Sequence, residues 1–194
     1  MGQNKALLPF SSYPTLSQYQ LERFSPYFKK VYISCKDKTI FNFQADFIED
    51  YIKDISSPLV GLYSIFSKLD DEYIAVLSVD TPFVDIKIYE TLLQYSLYHD
   101  IVIPEYHPLC GIYKKTIKPH LKELIYHDKH RFSYLFEKTD TKKIHFKDEK
   151  MFYNMNYFDE YEKAFKNLTT KKIWSIINQK RRCYHASWDQ RKNS

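Results

Sequence analysis

Glycine is nearly missing from this chain. Its 194 residues include three, where average usage would supply about thirteen or fourteen. A sequence that avoids glycine so thoroughly places one where a side chain would obstruct the backbone or something bound to it. Gly2, Gly61 and Gly111 are therefore landmarks. Cysteine is also scarce. Cys35, Cys110 and Cys183 are widely spaced, form no C-x-x-C pair and lack the even count of a secreted disulfide framework, which argues against a structural zinc site or a stapled mini-domain. No apolar run approaches the ~18 residues of a membrane span. The N-terminus carries no basic-then-apolar export signal, so a cytoplasmic protein with no membrane partner is the expectation.

The net charge of +5 looks like a nucleic-acid signal until it is divided along the chain. Residues 171–194 hold seven Lys or Arg against Asp189 alone, and the first 170 residues hold 22 basic against 23 acidic groups. The body is neutral and the tail is basic. A nucleic-acid surface needs basic groups spread along one face, so nucleic acid is not the expected partner of the body. Trp174, Tyr184 and Trp188 interleave with the basic residues of the tail, which leaves an RNA-binding arm as one reading beside a helix extension or a disordered end.

Strand and helix patterns alternate. Thr15 can cap a helix through Phe24, with Leu16, Tyr19, Gln20 and Arg23 at helical spacing. Short strands are expected over residues 30–34 and around Phe47-Ile48, the second ending in Glu49-Asp50. Ser57-Pro58 opens a helix with Pro in its first turn and Leu59, Leu62, Ile65, Phe66 and Leu69 as its apolar stripe. Residues 73–79 read as the clearest strand, apolar on both faces as a central parallel strand should be. A helix over 86–98, a strand at 101–103, a strand near 109–113, a mostly helical 119–138 and short strands at 143–146 and 152–155 follow. Residues 158–168 read as a helix. This predicts a three-layer α/β sandwich around a mostly parallel sheet, with ligands at the carboxyl ends of the strands. The expected division is one domain over 1–168 and a basic C-terminal extension over 169–194.

Four groups of residues carry candidate chemistry. Asp80 directly follows the apolar strand, on the rim where hard cations and phosphates are held; it reads equally as a turn or helix-cap residue. Gly61 lies in the first turns of a helix, where it costs about 1 kcal/mol against Ala. That points to close approach by a planar ligand, or to a tight helix–strand packing point. In His107-Pro108-Leu109-Cys110-Gly111-Ile112-Tyr113 the glycine suits a bulge or a backbone close to substrate, and His107 also reads as a surface or structural histidine. Asn154 and Asn156 put two amides on one side of an extended segment, suited to a polar heterocycle or to capping the next helix.

Taken in order, these clusters resemble the molybdenum cofactor guanylyltransferases. That family carries an L-A-G-G-x-S-x-R-M-G-x-D-K-A loop, then G-P-L-A-G, a strand ending C/V-D-x-P, H-P-L-x-G-x-Y and N-I-N-T-P. The corresponding segments are Met1 to Ala6, Ser57 to Gly61, Val79 to Pro82, His107 to Tyr113 and Asn154 to Asn156. The resemblance spans about 1–168 and implies a Rossmann-like nucleotidyltransferase fold. It implies transfer of GMP from GTP to molybdopterin, the organic part of the molybdenum cofactor, with release of pyrophosphate and with Mg²⁺ as cofactor. By the same resemblance Lys5 meets the GTP phosphates, Asp80 is catalytic and holds Mg²⁺, and Asp50 and Gly61 contact the nucleotide. An Asp at position 50 can accept from guanine N1 and N2, or it caps a strand. His107, Asn154 and Asn156 fall on the molybdopterin side, and molybdoenzyme maturation proteins are implied as further partners.

Three departures qualify the match. The sequence opens at the Met of R-M-G, lacking the family's first strand and glycine-rich loop; Asn4 stands for the loop's Asp, and Ser57 for the first Gly of G-P-L-A-G. A start upstream is the favoured expectation. The alternative is an inactive remnant or binding module of the same fold that has lost nucleotide binding.

Overall fold

Thr15 starts the first helix, as the spacing predicts: it is extended in backbone and its side chain accepts the Gln18 N–H, so α1 runs Leu16–Phe24. Ser57 does the same for α2, Pro58–Lys68, accepting the Leu59 N–H. Asp85 caps α3, Ile86–Ser96, through the Lys87 N–H. The stretch expected as mostly helical over 119–138 divides into α4, Lys118–Tyr126, and α5, Phe132–Phe136. Asp128 lies between them with φ +54°, a left-handed conformation that a helix interior does not accommodate.

The computed structural model describes residues 4–153, which fall within a unit spanning Met1–Asn154. Gly2, Asn154, Asn156, the helix expected at 158–168 and the basic extension lie outside the described residues. The strands are β1 (Tyr32–Cys35), β2 (Asp46–Glu49), β3 (Tyr73–Leu77), β4 (Ile101–Pro104), β5 (Cys110–Lys114) and β6 (Thr141–Ile144). β1 and β2 form a parallel pair. The other four form a sheet in the order β3-β5-β4-β6. β5 is antiparallel to both its neighbours and β4 is parallel to β6. Three of these four strands therefore share one direction, with β5 alone reversed.

Side chains alternate across this sheet and make its two cores. Ile101, Ile103 and Tyr113 turn to one face, where they meet Leu59, Leu62 and Phe66 of α2, Leu121 and Leu124 of α4 and Leu135 of α5. Val102, Cys110 and Ile112 turn to the other, against Phe24 of α1 and Ile88, Tyr89 and Leu92 of α3. Helices on both faces give the three-layer α/β sandwich. Each fully buried Leu, Ile or Phe contributes roughly 1.5–3 kcal/mol, so this double core dominates the stability of the described unit.

Three expectations are corrected. Among the described residues β3 is not central: it is the edge of the four-stranded sheet, and Ala75 is exposed. The strand buried along its whole length is β4. An apolar run does not by itself say where a strand stands in the ladder. Among the described residues no ladder joins β1 to β3; α2 spans both sheets, packing on β1 and β2 as well as on the larger core. Finally, Phe152 closes a short 3₁₀ turn, Glu149–Phe152, capped when Asp148 accepts the Lys150 N–H, rather than opening a strand.

Candidate active site

Asp80 sits in the turn that leaves β3. Both the N–H and the hydroxyl of Thr81 donate to the Ser78 carbonyl, which tightens the turn, and the Ser78 hydroxyl donates to the Asp80 carboxylate. The Ser78 N–H donates to the Leu109 carbonyl at 2.7 Å, so the turn is anchored to the loop between β4 and β5. The helix-cap role open to Asp80 is filled by Asp85 instead.

Lys5 meets this turn. Its Nζ lies 3.8 Å from Asp80 Oδ2, with the two side chains 28% and 18% exposed. The pair is shielded enough for its charges to matter and open enough for a ligand to reach both. Lys5 begins a 3₁₀ turn capped by Asn4, whose side chain accepts the Ala6 N–H. Asparagine is among the residues best suited to such a cap.

His107 lies across the same rim. Its ring stacks on Phe152, centroids 4.4 Å apart and planes 13° from parallel. Burial pushes the imidazole pKa below its ordinary value, with Glu149 partly opposing, which favours the neutral ring. It offers a ring face and a hydrogen-bonding nitrogen. A cavity of about 160 Å³ lies between the two loops, lined by Ser78, Asp80, Thr81, Tyr106, His107, Pro108, Leu109 and Cys110. Whole-ligand pockets run roughly 300–1,000 Å³, so this one suits a phosphate or a single ring. Burial pushes the Cys110 thiol on this cavity up to about 12 and, with Glu49 and Asp50, the Cys35 thiol of β1 up to about 11, which disfavours the reactive thiolate at both.

A second group forms where β1 and β2 meet α2. The Asp50 N–H donates to the Cys35 carbonyl at 2.8 Å, and the next N–H, of Tyr51, to the Ser64 hydroxyl at 2.7 Å. The backbone under Asp50 is thus fixed on both sides. Among the described residues no donor reaches its carboxylate, and burial raises its pKa against the opposing pull of Lys36. A Cβ placed on Gly61 would stand 3.7 Å from Ser34 Oγ and 3.8 Å from Asp50 Oδ1. The bare face of Gly61 therefore opens onto Asp50.

The structure thus brings Lys5 to Asp80, with His107 on the cavity that Asp80 lines, and it brings Asp50 to Gly61. Gly111 faces no ligand space; its close neighbours are Ile103 and the Val102 carbonyl. Sequence reasoning missed Ser78, Phe152 and Ser34. It also left Gln20 and Arg23 as positions on a helix, although a buried face that carries a Gln and an Arg is itself a signal.

A profile of the MobA-like NTP transferase domain matches residues 1–142. The chain belongs to this family. Among curated relatives of this MobA-like transferase, the molybdenum cofactor guanylyltransferase of Campylobacter jejuni is 35% identical over 169 residues, covering 84% of this chain and 87% of the relative. The protein of the same name from Helicobacter pylori is 32% identical over 164 residues, covering 83% and 78%. The solved structure of molybdopterin-guanine dinucleotide biosynthesis protein A from Archaeoglobus fulgidus superposes with a TM-score of 0.74 at 21% identity, over 88% of this chain and 93% of that one. That likeness shows the shared fold.

Among the described residues of this MobA-like transferase, no group of three or more His, Cys, Asp or Glu converges on a metal-sized space. A single partly shielded carboxylate, Asp80, faces the cavity. No described helix is long and apolar enough to cross a membrane.

Proposed function

We propose that this chain transfers GMP from GTP to the terminal phosphate of molybdopterin, releasing pyrophosphate and leaving the guanine dinucleotide form of the cofactor. The observation that carries the reading is the meeting of Lys5 and Asp80 at the carboxyl end of β3, beside a fragment-sized cavity. The names of the curated relatives support it.

In this reaction a phosphate oxygen of the acceptor bonds to the α-phosphorus of GTP, and the bond from that phosphorus to the bridging oxygen breaks. The attacking oxygen is already ionised at neutral pH, so no side chain has to remove a proton. What the site must do is bring two anions together and hold them in line. Lys5 supplies a fixed positive charge for the triphosphate, in the manner of a point-charge phosphate binder. The Asp80 carboxylate suits Mg²⁺, which binds through one or two carboxylates and completes its shell with water and phosphate oxygens. Bound there, the ion would lower the charge repulsion at the reacting phosphate and the leaving group. Asp50, opposite bare Gly61, presents two acceptor oxygens to the N1–H and N2–H of guanine, and adenine cannot match that pattern. His107, stacked on Phe152, offers the flat wall of the acceptor side.

Replacing Asp80 tests the reading. In Asp80→Asn the apolar strand and the backbone anchors of the turn remain, so the protein should melt as the parent does. GMP transfer should fall by about 10²-fold or more, the scale for losing a group that stabilises developing charge. Turnover near the parental rate at limiting Mg²⁺ would show that Asp80 is a turn residue only.

A further inference from the structure

Gln20 and Arg23 of helix α1 both reach the loop that holds Asp80, and the Tyr19 hydroxyl joins them there, donating to the Pro82 carbonyl at 3.4 Å. Gln20 is 8% exposed. Its Nε2 donates to the carbonyl of Thr81 at 3.1 Å and approaches that of Val79 at 3.5 Å. The Arg23 guanidinium forks over the next two, donating from Nη1 to the Pro82 carbonyl and from Nη2 to the Val84 carbonyl at 2.6 Å. Nη1 also donates to Gln20 Oε1 at 3.2 Å, which fixes the orientation of the Gln20 amide. The guanidinium is held in turn by the rings of Tyr19 and Phe24, at 5.0 and 5.2 Å. One face of one helix thus engages four carbonyls, one before Asp80 and three after it. The same helix reaches the Lys5 turn, where the Ser17 hydroxyl donates to the Ala6 carbonyl at 2.9 Å.

We propose that Gln20 and Arg23 are positioning residues for Asp80: by gripping the backbone on both sides of it, α1 sets where its carboxylate stands relative to Lys5. Among the described residues the Asp80 carboxylate meets Ser78 and Lys5 rather than either of these side chains, so the effect runs through the placement of the turn. Pro82 has no N–H, and its carbonyl is a remaining polar handle on that stretch of backbone. A planar fork suits the task because it binds two carbonyls in one fixed orientation, whereas the three donors of an ammonium rotate and fix no such geometry. Shifting a catalytic group by about 1 Å is enough to cost roughly 100-fold.

The inference rests on the reading that Asp80 holds the divalent cation, and its test keeps the two separable. In the full chain, Arg23→Lys and Gln20→Leu are compared with the parent and with Asp80→Asn. Mn²⁺ binding to the nucleotide-free protein is followed by loss of the free-ion electron paramagnetic resonance signal. The Mg²⁺ concentration for half-maximal GMP transfer, the KM for GTP and the melting temperature are measured in parallel. Folded Arg23→Lys and Gln20→Leu should each weaken Mn²⁺ binding and raise the Mg²⁺ requirement by roughly 10–100-fold, the usual effect of losing a group that orients a metal ligand. The KM for GTP should change little. If Asp80→Asn abolishes Mn²⁺ binding while the two helix variants bind as the parent does, the positioning role is refuted and the reading of Asp80 stands. If Asp80→Asn itself binds Mn²⁺ normally, both fall. Two substitutions are used because the loss of buried hydrogen bonds in one could prevent folding; a lower melting temperature with unchanged Mn²⁺ affinity in the folded variant would make the contacts structural only.

Discussion

Gly61 and Gly111 stand in opposite surroundings, although a chain with three glycines invites one explanation for both. A Cβ on Gly111 would lie 2.5 Å from Ile103 Cγ2 and 2.9 Å from the Val102 carbonyl oxygen. A Cβ on Gly61 would meet nothing nearer than 3.7 Å. The first glycine lets β5 press against β4 in the most buried part of the sheet. The second leaves a helix face bare beside a half-buried carboxylate whose side chain has no hydrogen-bond donor among the described residues. One is kept for packing. The other is the position proposed to face the nucleotide, and it carries a helix-propensity cost that packing does not explain.

The contrast breaks most sharply at position 111. Alanine there drives its methyl group into a neighbouring strand whose carbonyl cannot retreat without loosening the Val102–Ile112 pairing. Overpacking of this kind costs about 1–3 kcal/mol. The melting temperature of Gly111→Ala should fall by several degrees, on the order of 2–4 °C for each kcal/mol in a chain of this size. The KM for GTP in the surviving folded protein should be unchanged. A Gly111→Ala protein that melts normally but loses GTP affinity would reverse the assignment of the two glycines.

Asp50 sharpens the other side of the comparison. Asp50→Ala removes the acceptor pair proposed for guanine, and a bidentate base contact contributes about 1–3 kcal/mol of discrimination. The preference for GTP over ATP in competition binding should shrink by roughly 5- to 150-fold, as that range implies. Stability should move the opposite way from the Gly111 case. Burial raises the Asp50 pKa, so the folded state holds that proton more tightly than the unfolded state does. The folded protein therefore loses stability as pH rises from the ordinary carboxylate value of about 3.9 through the raised one, and the penalty persists above it. Asp50→Asn should melt higher than the parent at pH 7 and show no gain at pH 3. An undiminished GTP preference in Asp50→Ala would assign base reading to backbone groups near Gly61.

Local signals were legible and long-range ones were not. Thr15 could be read as a cap, and Ser57-Pro58 as a helix opening, because such signals act on a backbone only two or three residues away. The family motifs marked Lys5, Asp50, Gly61, Asp80 and His107 because each sits in a short run of distinctive residues. Three other features depend on partners distant in sequence. The grip of Gln20 and Arg23 on the Asp80 loop spans about sixty residues. The place of β3 at a sheet edge depends on which strands pair with it, and its apolar sequence is equally suited to the centre. The stack of Phe152 on His107 joins residues 45 apart in sequence. Gly111 was visible as an anomaly, but only the opposing Ile103 shows that the close approach is by protein.

The smallest effect is expected at Gly61, and its sign is what matters. Gly61→Ala places a methyl group at ordinary contact distance from Ser34 and Asp50, so packing should not oppose it. Alanine is the better helix former by up to about 1 kcal/mol, and the residue lies inside α2 with a backbone that any residue adopts. The variant should therefore melt at or slightly above the parental temperature. If the bare face of Gly61 admits a planar base beside Asp50, the same methyl group occupies part of that space, and GTP affinity should drop several-fold while the Mn²⁺ affinity measured without nucleotide stays put. A gain in stability paired with a loss in binding is the pattern of a residue retained for a ligand. Unchanged GTP affinity in a protein that melts higher would leave Gly61 without a role in nucleotide binding, and would confine base recognition to Asp50 and its neighbours on β2.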